Sequence, residues 1–480
     1  MSFPFLSATK LIRALRQKKI GALELLDLYV ERTKRYDRVL NALPVLDLAK
    51  ARKRAKAFDR KGAKSGPLAG LPMTVKESFD LAGHPTTWGL TEYRTARATS
   101  NAVAVDRFLN AGANIFGKSN VPSLLADWET ANPLYGRTVN PWNHQRTPGG
   151  SSGGAAAALA AGLTGLEAGS DIGGSIRNPA HYCGVYGHKT TWGVCTMAGH
   201  ALPGVAHPSD ISVIGPLARS AVDLELALRI MAGPDAIDGA GWQLALPKAE
   251  RNTLRGWRVA VLASHPTAET DTTVQAAIDR LAKFLSANGA KVSARTFPAF
   301  DLGEAHRVFI QLLRGATSGR QTDELFARMI AAKEKLAQGD ASYYAQMVRA
   351  NTQPHKDWLA ASNRRHQMRL AWADFFKDWD VLLCPNAATA AFPHSMPGER
   401  WERMITVNGK PQPATTQMWW AGIAGMCYLP GTAAPIGLSP EGLPLSVQIV
   451  GPQYGDFSTI RFAQLIEREY YSFVAPGGYP

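Results

Sequence analysis

The chain has 480 residues, of which 45% are apolar and 19% are charged. This composition provides for a large hydrophobic core and excludes a mainly disordered protein. The formal net charge is +14, but the basic residues are spread along amphipathic helices, for example from Lys10 to Arg38, and no nucleic-acid-binding motif accompanies them. We therefore expect a basic, solvated surface and no nucleic-acid partner.

The N-terminus and the apolar runs bear on localisation. Residues 1–7 lack the basic start and apolar stretch of an export signal, and no run of about 18 apolar residues is present for a membrane span. The sequence thus predicts a cytoplasmic protein without membrane association. The four cysteines are too scattered for a disulfide framework or a metal site, and we expect them to be buried or idle thiols: Cys183, Cys195, Cys384 and Cys427.

The predicted elements begin with helices and change character near residue 70. Residues 7–60 are predicted to form two or three helices, with Ser7 as the N-cap of the first. From Gly70 onward, short apolar runs alternate with helices, which is typical of an α/β fold with a mostly internal sheet. The predicted elements of this part are a strand at 71–76, a helix at 102–110, a strand at 114–116 and a helix at 154–162.

Residues from about 240 to 380 carry more charge and less glycine, which indicates a peripheral or capping region with helices at 272–287, 322–338 and 356–377. Strands are then predicted at 380–384 and 443–450, and a final helix at 457–469. No internal repeat or low-complexity linker is present. We expect one domain over 1–480, with N-terminal helices in 1–65, a core in 66–240, a variable helical region in 241–380 and the rest of the core in 381–480.

The segment from Pro148 to Pro179 holds two glycine-framed serine sites, Ser151-Ser152 and Ser175, joined by an alanine-rich helix. Glycine allows backbone conformations that other residues avoid, so two such serines in one segment indicate a functional site and not merely a turn or a linker. Successive N–H groups of the two glycines before Ser175 can form an anion-binding concavity. This favours Ser175 as a nucleophile in hydrolytic or acyl-transfer chemistry, and a plain tight turn is the alternative.

Two further motifs match known patterns but lack the required context. Gly112–Ser119 matches the phosphate-binding G-x-x-x-x-G-K-S loop, yet its middle is strand-like and Pro122 follows at once. Gly149–Gly153 matches the G-x-S-x-G elbow, yet a loop and not an apolar strand precedes it. A Ser-His-Asp site there needs a histidine, and the sequence leaves four of them unplaced: His181, His188, His200 and His207.

A lysine is the remaining way to activate a serine. Lys76 ends an apolar predicted strand, and burial there would lower the pKa of its side chain and free a lone pair to accept a proton. Ser-Lys arrangements are a known variant of the catalytic triad. A surface lysine at a strand end is the alternative, and spacing alone does not decide between them.

Taken together, these segments resemble the amidase signature family. Its Gly-Gly-Ser-Ser-Gly-Gly stretch followed by Asp-x-Gly-Gly-Ser-Ile-Arg is present at 149–154 and 171–177, and the intervals from Lys76 to Ser151 and from Ser151 to Ser175 match as well. The resemblance is weakest across 240–380. It implies an α/β amidase signature fold, with a large mixed central sheet covered by helices on both faces. Other matching segments are 70–76, 117–120, 135–143, 183–189 and 442–452.

The resemblance also implies a Ser–cis-Ser–Lys triad without metal or cofactor. Ser175 would be the acylated nucleophile, Ser151 the bridging serine after a cis peptide bond, and Lys76 the terminal base. Asp171 and Arg177 flank the nucleophile, and we expect a structural ion pair there. The implied oxyanion hole consists of the N–H groups of Ile172, Gly173, Gly174 and Ser175.

The substrate pocket follows from the same comparison. Leu125, Asp127 and Trp128 fall on the segment that lines the acyl side of the substrate. Asp127 departs from the small or neutral residue expected there, and is interpreted as attracting a cationic substrate group or as pairing with an arginine. Trp419 and Trp420 are interpreted as an aromatic wall, with core packing as an equal alternative.

The resulting prediction is a stand-alone bacterial-type amidase. It would cleave the carboxamide, anilide or carbamate (urethane) bond of a small molecule through a Ser175 acyl-enzyme, with esterase and urethanase side activities, and family habit suggests a homodimer. One alternative is the glutamine-hydrolysing component of an aminoacyl-tRNA amidotransferase, its A subunit, which works with partner chains. The other is a catalytically silent homologue that only binds.

Overall fold

The computed structural model describes residues 3–61, 66–394 and 398–480. Its strands follow in chain order: β1 (Val45–Leu46), β2 (Pro72–Lys76), β3 (Asn114–Ser119), β4 (Ala131–Asn132), β5 (Gly136–Arg137), β6 (Glu167–Asp171), β7 (Tyr186–Lys189), β8 (Val213–Ala218), β9 (Arg258–Val261), β10 (Lys291–Ser293), β11 (Val381–Pro385), β12 (Met404–Val407), β13 (Lys410–Pro413), β14 (Gly431–Leu438) and β15 (Pro444–Val450).

The α-helices surround these strands and are distributed along the whole chain. They are α1 (Ala8–Arg16), α2 (Ala22–Leu40), α3 (Leu48–Lys61), α4 (Val103–Asn110), α5 (Gly153–Ala160), α6 (Arg177–Cys183), α7 (Ala221–Met231), α8 (Thr272–Ala287), α9 (Leu302–Ser318), α10 (Asp323–Glu334), α11 (Tyr343–Asn351), α12 (His355–Asp378), α13 (Met418–Gly425) and α14 (Asp456–Glu469).

Within the described residues, eleven strands form one mixed sheet in the order β1-β3-β2-β6-β8-β7-β14-β15-β11-β9-β10. Strand β2 runs parallel to β3 and β6, while β6 runs antiparallel to β8. Every residue of β2, β3, β6, β8, β11 and β15 is buried. Strands that are buried on both sides need helices on both faces of the sheet. The predicted α/β fold with a large mixed sheet is confirmed.

Local sequence accounts for many of the element boundaries. The Ser7 hydroxyl accepts a hydrogen bond from the Lys10 amide at 3.3 Å and caps α1, as predicted. The predicted strands at 71–76 and 443–450 correspond to β2 and β15. Strand β3 is longer than predicted and includes the glycine, lysine and serine of the phosphate-loop pattern, which therefore lie in buried extended backbone.

Residues 241–380 contribute more to the fold than the predicted helical cap. Strand β9 pairs in parallel with β11 and β10, so this region extends one edge of the main sheet. Helices α9 to α11 follow and provide one side of the apolar cavity that contains Ser175. All four cysteines are free and buried, as expected. In the described part of the chain, no helix has both the length and the apolar character to cross a membrane.

Candidate active site

Lys76 occupies the last position of β2, in the interior of the sheet. Its side chain is fully buried, and Nζ donates hydrogen bonds to Ser151 Oγ at 2.7 Å and to Ser170 Oγ at 2.9 Å. Strand β6 lies beside β2 and carries Ser170, so the parallel pairing of the two strands positions this contact. The surface alternative for Lys76 is therefore excluded by the structure.

Burial lowers the pKa of Lys76 to about 7, and the negative charges of Asp171 and Glu167 oppose this shift only in part. A buried ammonium loses its hydration, which disfavours the charged form. Glu167 is itself buried, which raises its pKa to about 8 and keeps its carboxyl group mostly neutral at pH 7. Near pH 7, a substantial fraction of Lys76 is a neutral amine that can accept a proton from a hydroxyl.

Ser151 precedes α5 and is linked to Gly150 by a cis peptide bond. A side chain at Gly150 would overlap the carbonyl oxygen of Asp127, so only glycine fits between these two backbone segments. The Ser151 side chain is 1% exposed and lies against the Lys76 amine. The neighbouring Ser152 caps no N–H group and instead donates to the carbonyl of Ser170 at 3.4 Å.

Ser175 lies in the turn between β6 and α6 and faces the cavity. It is 5% exposed, and its backbone carbonyl accepts a hydrogen bond from the Ser152 amide at 3.1 Å. Its hydroxyl forms no hydrogen bond with any described residue. The structure thus brings Lys76 and Ser151 into contact and places Ser175 beside them, while the hydrogen bond from Ser175 to Ser151 is not formed.

A buried ion pair fixes the turn that contains Ser175. Asp171 Oδ1 accepts hydrogen bonds from Gly174 N at 2.9 Å and Arg177 Nη2 at 2.7 Å, and Oδ2 accepts from Ile176 N at 3.0 Å. Burial raises the pKa of Asp171, but the Arg177 guanidinium and the N–H donors more than offset this and hold it well below its usual range. This is the structural ion pair that was expected at Asp171 and Arg177.

Replacement of Asp171 by asparagine is expected to destabilise the fold by about 3 kcal/mol or more, because the buried Arg177 loses its counter-charge. Denaturant unfolding followed by tryptophan fluorescence measures this change. Asp374→Asn is the matched control: its pair with Lys377 has side chains 77% and 75% exposed, and its loss should leave the unfolding curve nearly unchanged. Equal, small effects of both substitutions would contradict a stabilising role for the buried pair.

The same turn presents backbone N–H groups next to Ser175. The N–H groups of Ile172, Gly173 and Ser175 donate to no acceptor among the described residues. The Gly174 N–H donates a hydrogen bond to Asp171 Oδ1. Three backbone N–H groups are therefore free to bind an oxyanion, whereas the family resemblance implies four. Gly174 contributes through its conformation, because its φ of +96° is one that residues with side chains rarely adopt.

A cavity of about 240 Å³ lies next to the turn, and it is lined in part by Ser175, Ile172 and Gly173. Leu125, Asp127 and Trp128 line it, and their part in binding the acyl side of the substrate stays a prediction. Trp128 Nε1 donates to the carbonyl of Gly173 at 3.0 Å and thereby ties the cavity wall to the turn.

Asp127 is not free to receive a cationic group. Its Oδ2 pairs with Arg403 Nη1 at 2.9 Å, and its Oδ1 accepts hydrogen bonds from the amides of Trp128 and Glu129. The interpretation of Asp127 as a partner of an arginine is the one that the structure supports.

Trp419 and Trp420 do not form a wall of the cavity, so the prediction of Trp419 as a substrate-binding residue is wrong. Both are almost fully buried, at 2% and 0% exposure, and Trp419 stacks on His265 with ring centroids 4.6 Å apart. Successive residues of a helix point about 100° apart, so Met418, the first residue of α13, faces the cavity while Trp419 packs into the core.

The alternative motifs find no support in the geometry. Lys118, the lysine of the phosphate-loop pattern, is buried and donates to Pro85 O and Thr86 Oγ1. The residues before the Gly149–Gly153 elbow form turns and no strand. Each of the four histidines has another partner: His181 bonds Ser446, His188 bonds Asp456, His200 bonds Ser78, and His207 bonds the Pro208 carbonyl.

Several groups at the site are not predicted from the sequence. Ser170 contacts Lys76, and four arginines line the cavity. Ser170 falls within the matched region but belongs to no recognised motif, and the arginines come from distant parts of the chain. Among residues 3–61, 66–394 and 398–480, no cluster of three or more histidine, cysteine, aspartate or glutamate side chains is arranged to hold a metal ion.

Comparisons with known proteins show the family of the chain. The family model described as Amidase matches residues 24–460. An indoleacetamide hydrolase of Bradyrhizobium diazoefficiens is 32% identical over 476 residues, which cover 96% of this chain and 86% of the relative. The A subunit of the glutamyl-tRNA(Gln) amidotransferase of Roseiflexus castenholzii is 30% identical over 491 residues, covering 95% and 94%.

Solved structures show the same fold. A bacterial aryl acylamidase of the amidase signature enzymes superposes with a TM-score of 0.80 at 22% identity, covering 97% of this chain and 96% of that one. The family match spans most of the chain, including Lys76, Ser151 and Ser175. The chain belongs to the amidase family and is a hydrolase of amide C–N bonds.

Proposed function

We propose that this protein cleaves a carboxamide, anilide or carbamate bond of a small molecule through an acyl-enzyme on Ser175. The observation that carries the proposal is the buried Lys76 amine, 2.7 Å from Ser151 Oγ, beside a serine whose turn presents free amides to an apolar cavity. A base, a relay and an oxyanion-stabilising turn are thus close together.

In the proposed mechanism, neutral Lys76 accepts the proton of Ser151, and Ser151 accepts the proton of Ser175 as Ser175 Oγ attacks the carbonyl carbon. This requires the Ser175 hydroxyl to turn toward Ser151, an alignment that commonly tightens only with substrate bound. The N–H groups of Ile172, Gly173 and Ser175 stabilise the oxyanion, and each such donor contributes about 3–4 kcal/mol to the transition state. Ser151 then protonates the leaving amine, and water hydrolyses the acyl-enzyme.

The pH dependence of kcat/KM tests the lysine. Because the pKa of Lys76 is lowered to about 7, the active neutral form predominates above that pH. We expect kcat/KM to fall about tenfold per pH unit well below pH 7 and to level off above it. Asp171 is the charged neighbour that modulates this value, while Glu167, whose own pKa is raised to about 8, adds negative charge only at higher pH. An optimum near pH 5 would contradict a lysine base.

The chemical range of the substrate is tested with a panel of anilides, aliphatic amides, esters and carbamates. We expect turnover of anilides and carboxamides by the purified chain alone, with esters and urethanes as slower substrates. The relationship to the glutamyl-tRNA(Gln) amidotransferase chain makes glutamine hydrolysis the competing function. Glutaminase activity that appears only when partner chains are added would favour that competitor.

A catalytically silent binding protein is the other alternative. A fluorophosphonate probe, which reacts with activated serines, distinguishes it from an enzyme. Labelling of Ser175 supports the proposal, whereas a protein that is folded but unlabelled, and inactive on the whole panel, would contradict it.

A further inference from the structure

Four arginines line the cavity that contains Ser175: Arg314, Arg320, Arg400 and Arg403. Asp127 is the one carboxylate among the cavity's described lining residues. It pairs with Arg403, which also lies 3.9 Å from Glu129. The wall of the cavity therefore carries more positive than negative charge, and Arg403 is the arginine whose charge is matched.

The other three guanidinium groups have no carboxylate within 4.0 Å among the described residues, and the remaining residues of the chain include no aspartate or glutamate. Arg314 donates to the phenol oxygen of Tyr343, and its Nε is buried without a partner. Arg400 donates to the carbonyl of Ala126. Arg320 lies over the ring of Trp88, 4.9 Å from its centroid.

Two contact chains connect these arginines to the reacting centre. The Tyr343 hydroxyl that accepts the Arg314 hydrogen bond donates to Met418 Sδ at 3.4 Å. Met418 Cε lies beside Gly173 of the oxyanion turn, where an added side chain would meet it at 3.5 Å. Arg400 donates a hydrogen bond to the carbonyl of Ala126, and the next two residues, Asp127 and Trp128, line the cavity. The unmatched charges and Ser175 thus belong to one continuous site.

Cations that are wholly or partly buried without counter-charges are costly, because burial removes hydration; Arg314 is buried, and Arg320 and Arg400 are partly buried. Burial lowers the pKa of Arg320 to about 10. Burial also lowers the pKa of Arg400, with a further contribution from the positive charge of Arg314. An anion in the cavity would relieve both effects, and guanidinium groups bind planar carboxylates through paired hydrogen bonds.

We propose that the amide substrate of this enzyme carries a carboxylate, which binds to Arg314 and Arg400 with Arg320 adding positive charge. This inference rests on the proposed function, since it assigns a chemical class to the substrate of the same Ser175 site. Neutral amides of similar size would leave the guanidinium groups unmatched and bind more weakly.

Two matched substrate pairs test the proposal, one with the carboxylate on the acyl side and one with it on the amine side. They are glutaryl against pentanoyl 4-nitroanilide, and 4-acetamidobenzoate against acetanilide. We expect kcat/KM to favour the acid about 10-fold to 100-fold in at least one pair. Equal or faster hydrolysis of the neutral member in both pairs would overturn the proposal and leave the amidase function standing.

Arginine variants attribute the preference to the cavity. In Arg314→Met and Arg400→Met, the ratio of kcat/KM for acid over neutral substrate should fall toward one, with rates expressed per fluorophosphonate-labelled site so that misfolded protein is not counted. Arg280→Met is the matched control, since Arg280 is exposed on α8, and it should keep the wild-type ratio. A ratio unchanged in both cavity variants would contradict the assignment.

Binding to the Ser175→Ala variant separates this inference from the proposed function. Calorimetry with the same four compounds measures affinity without turnover. Tighter binding of the acids than of their neutral partners supports the carboxylate site. It does so even if the wild-type protein hydrolyses none of the four compounds, because that lack of hydrolysis would count against the amidase proposal and not against the carboxylate site. Equal affinity of the acid and its neutral partner in both pairs would contradict the carboxylate site.

Discussion

Replacing Ser175 by alanine is expected to lower amide hydrolysis by about 10⁴-fold or more, to the residual rate that substrate binding and the oxyanion-stabilising turn support without a nucleophile. The variant lacks the oxygen that attacks the carbonyl carbon, so no acyl-enzyme forms. Stopped-flow kinetics with a 4-nitroanilide should show no burst of product and a steady-state rate about 10⁴-fold or more below that of the wild type. A residual burst would contradict the role of Ser175 as nucleophile.

Ser152→Ala is the matched control for this substitution. Ser152 is a fully buried serine next to Ser151, and its hydroxyl bonds the Ser170 carbonyl, not Lys76. It should retain far more activity than Ser175→Ala. If both variants lost activity equally, the effect would reflect damage to the glycine-serine segment and not the loss of a nucleophile.

Replacing Lys76 by methionine is expected to lower kcat by about 10²- to 10⁴-fold, the usual contribution of a general base. Methionine keeps the volume of the buried side chain but removes the amine that contacts Ser151 and Ser170. The remaining activity should also lose its dependence on pH near 7, because the group whose pKa is lowered to about 7 is gone. Rate measurements from pH 5 to 9 test both effects.

Lys118→Met controls for the loss of a buried lysine. Lys118 lies on the neighbouring strand β3, is equally buried and has its pKa lowered by burial to about 8, but it bonds Pro85 and Thr86 and neither serine. When its rate is expressed per labelled active site, Lys118→Met should keep the wild-type dependence of the rate on pH near 7. Unchanged activity in Lys76→Met would remove Lys76 as the base.

Local sequence was sufficient for part of this site. Lys76 ends a short apolar strand, and the glycines around Ser175 predict a turn with convergent amides. Both features depend on residues near each other in the chain. The alignment of Lys76 with Ser151 depends on pairing between strands far apart in sequence, and there the prediction relied on the resemblance to a known family.

Other features depend on tertiary packing that local patterns do not encode. Met418 and Trp419 are adjacent, and only the packing of α13 determines which one faces the cavity. The Gly174 amide is occupied because Asp171 folds back on the turn. Arg314 and Arg400 come from separate parts of the chain, including the region where the family resemblance is weakest, so their shared cavity became apparent only in the folded structure.

The most direct test of the account is to trap the covalent intermediate. The wild-type protein is reacted with a fluorophosphonate or a slowly released carbamate, digested, and its peptides are mapped by mass spectrometry. We expect one adduct, on Ser175, with none in Ser175→Ala and much slower formation in Lys76→Met. An adduct on Ser151 or Ser152, with Ser175 unmodified, would contradict the account.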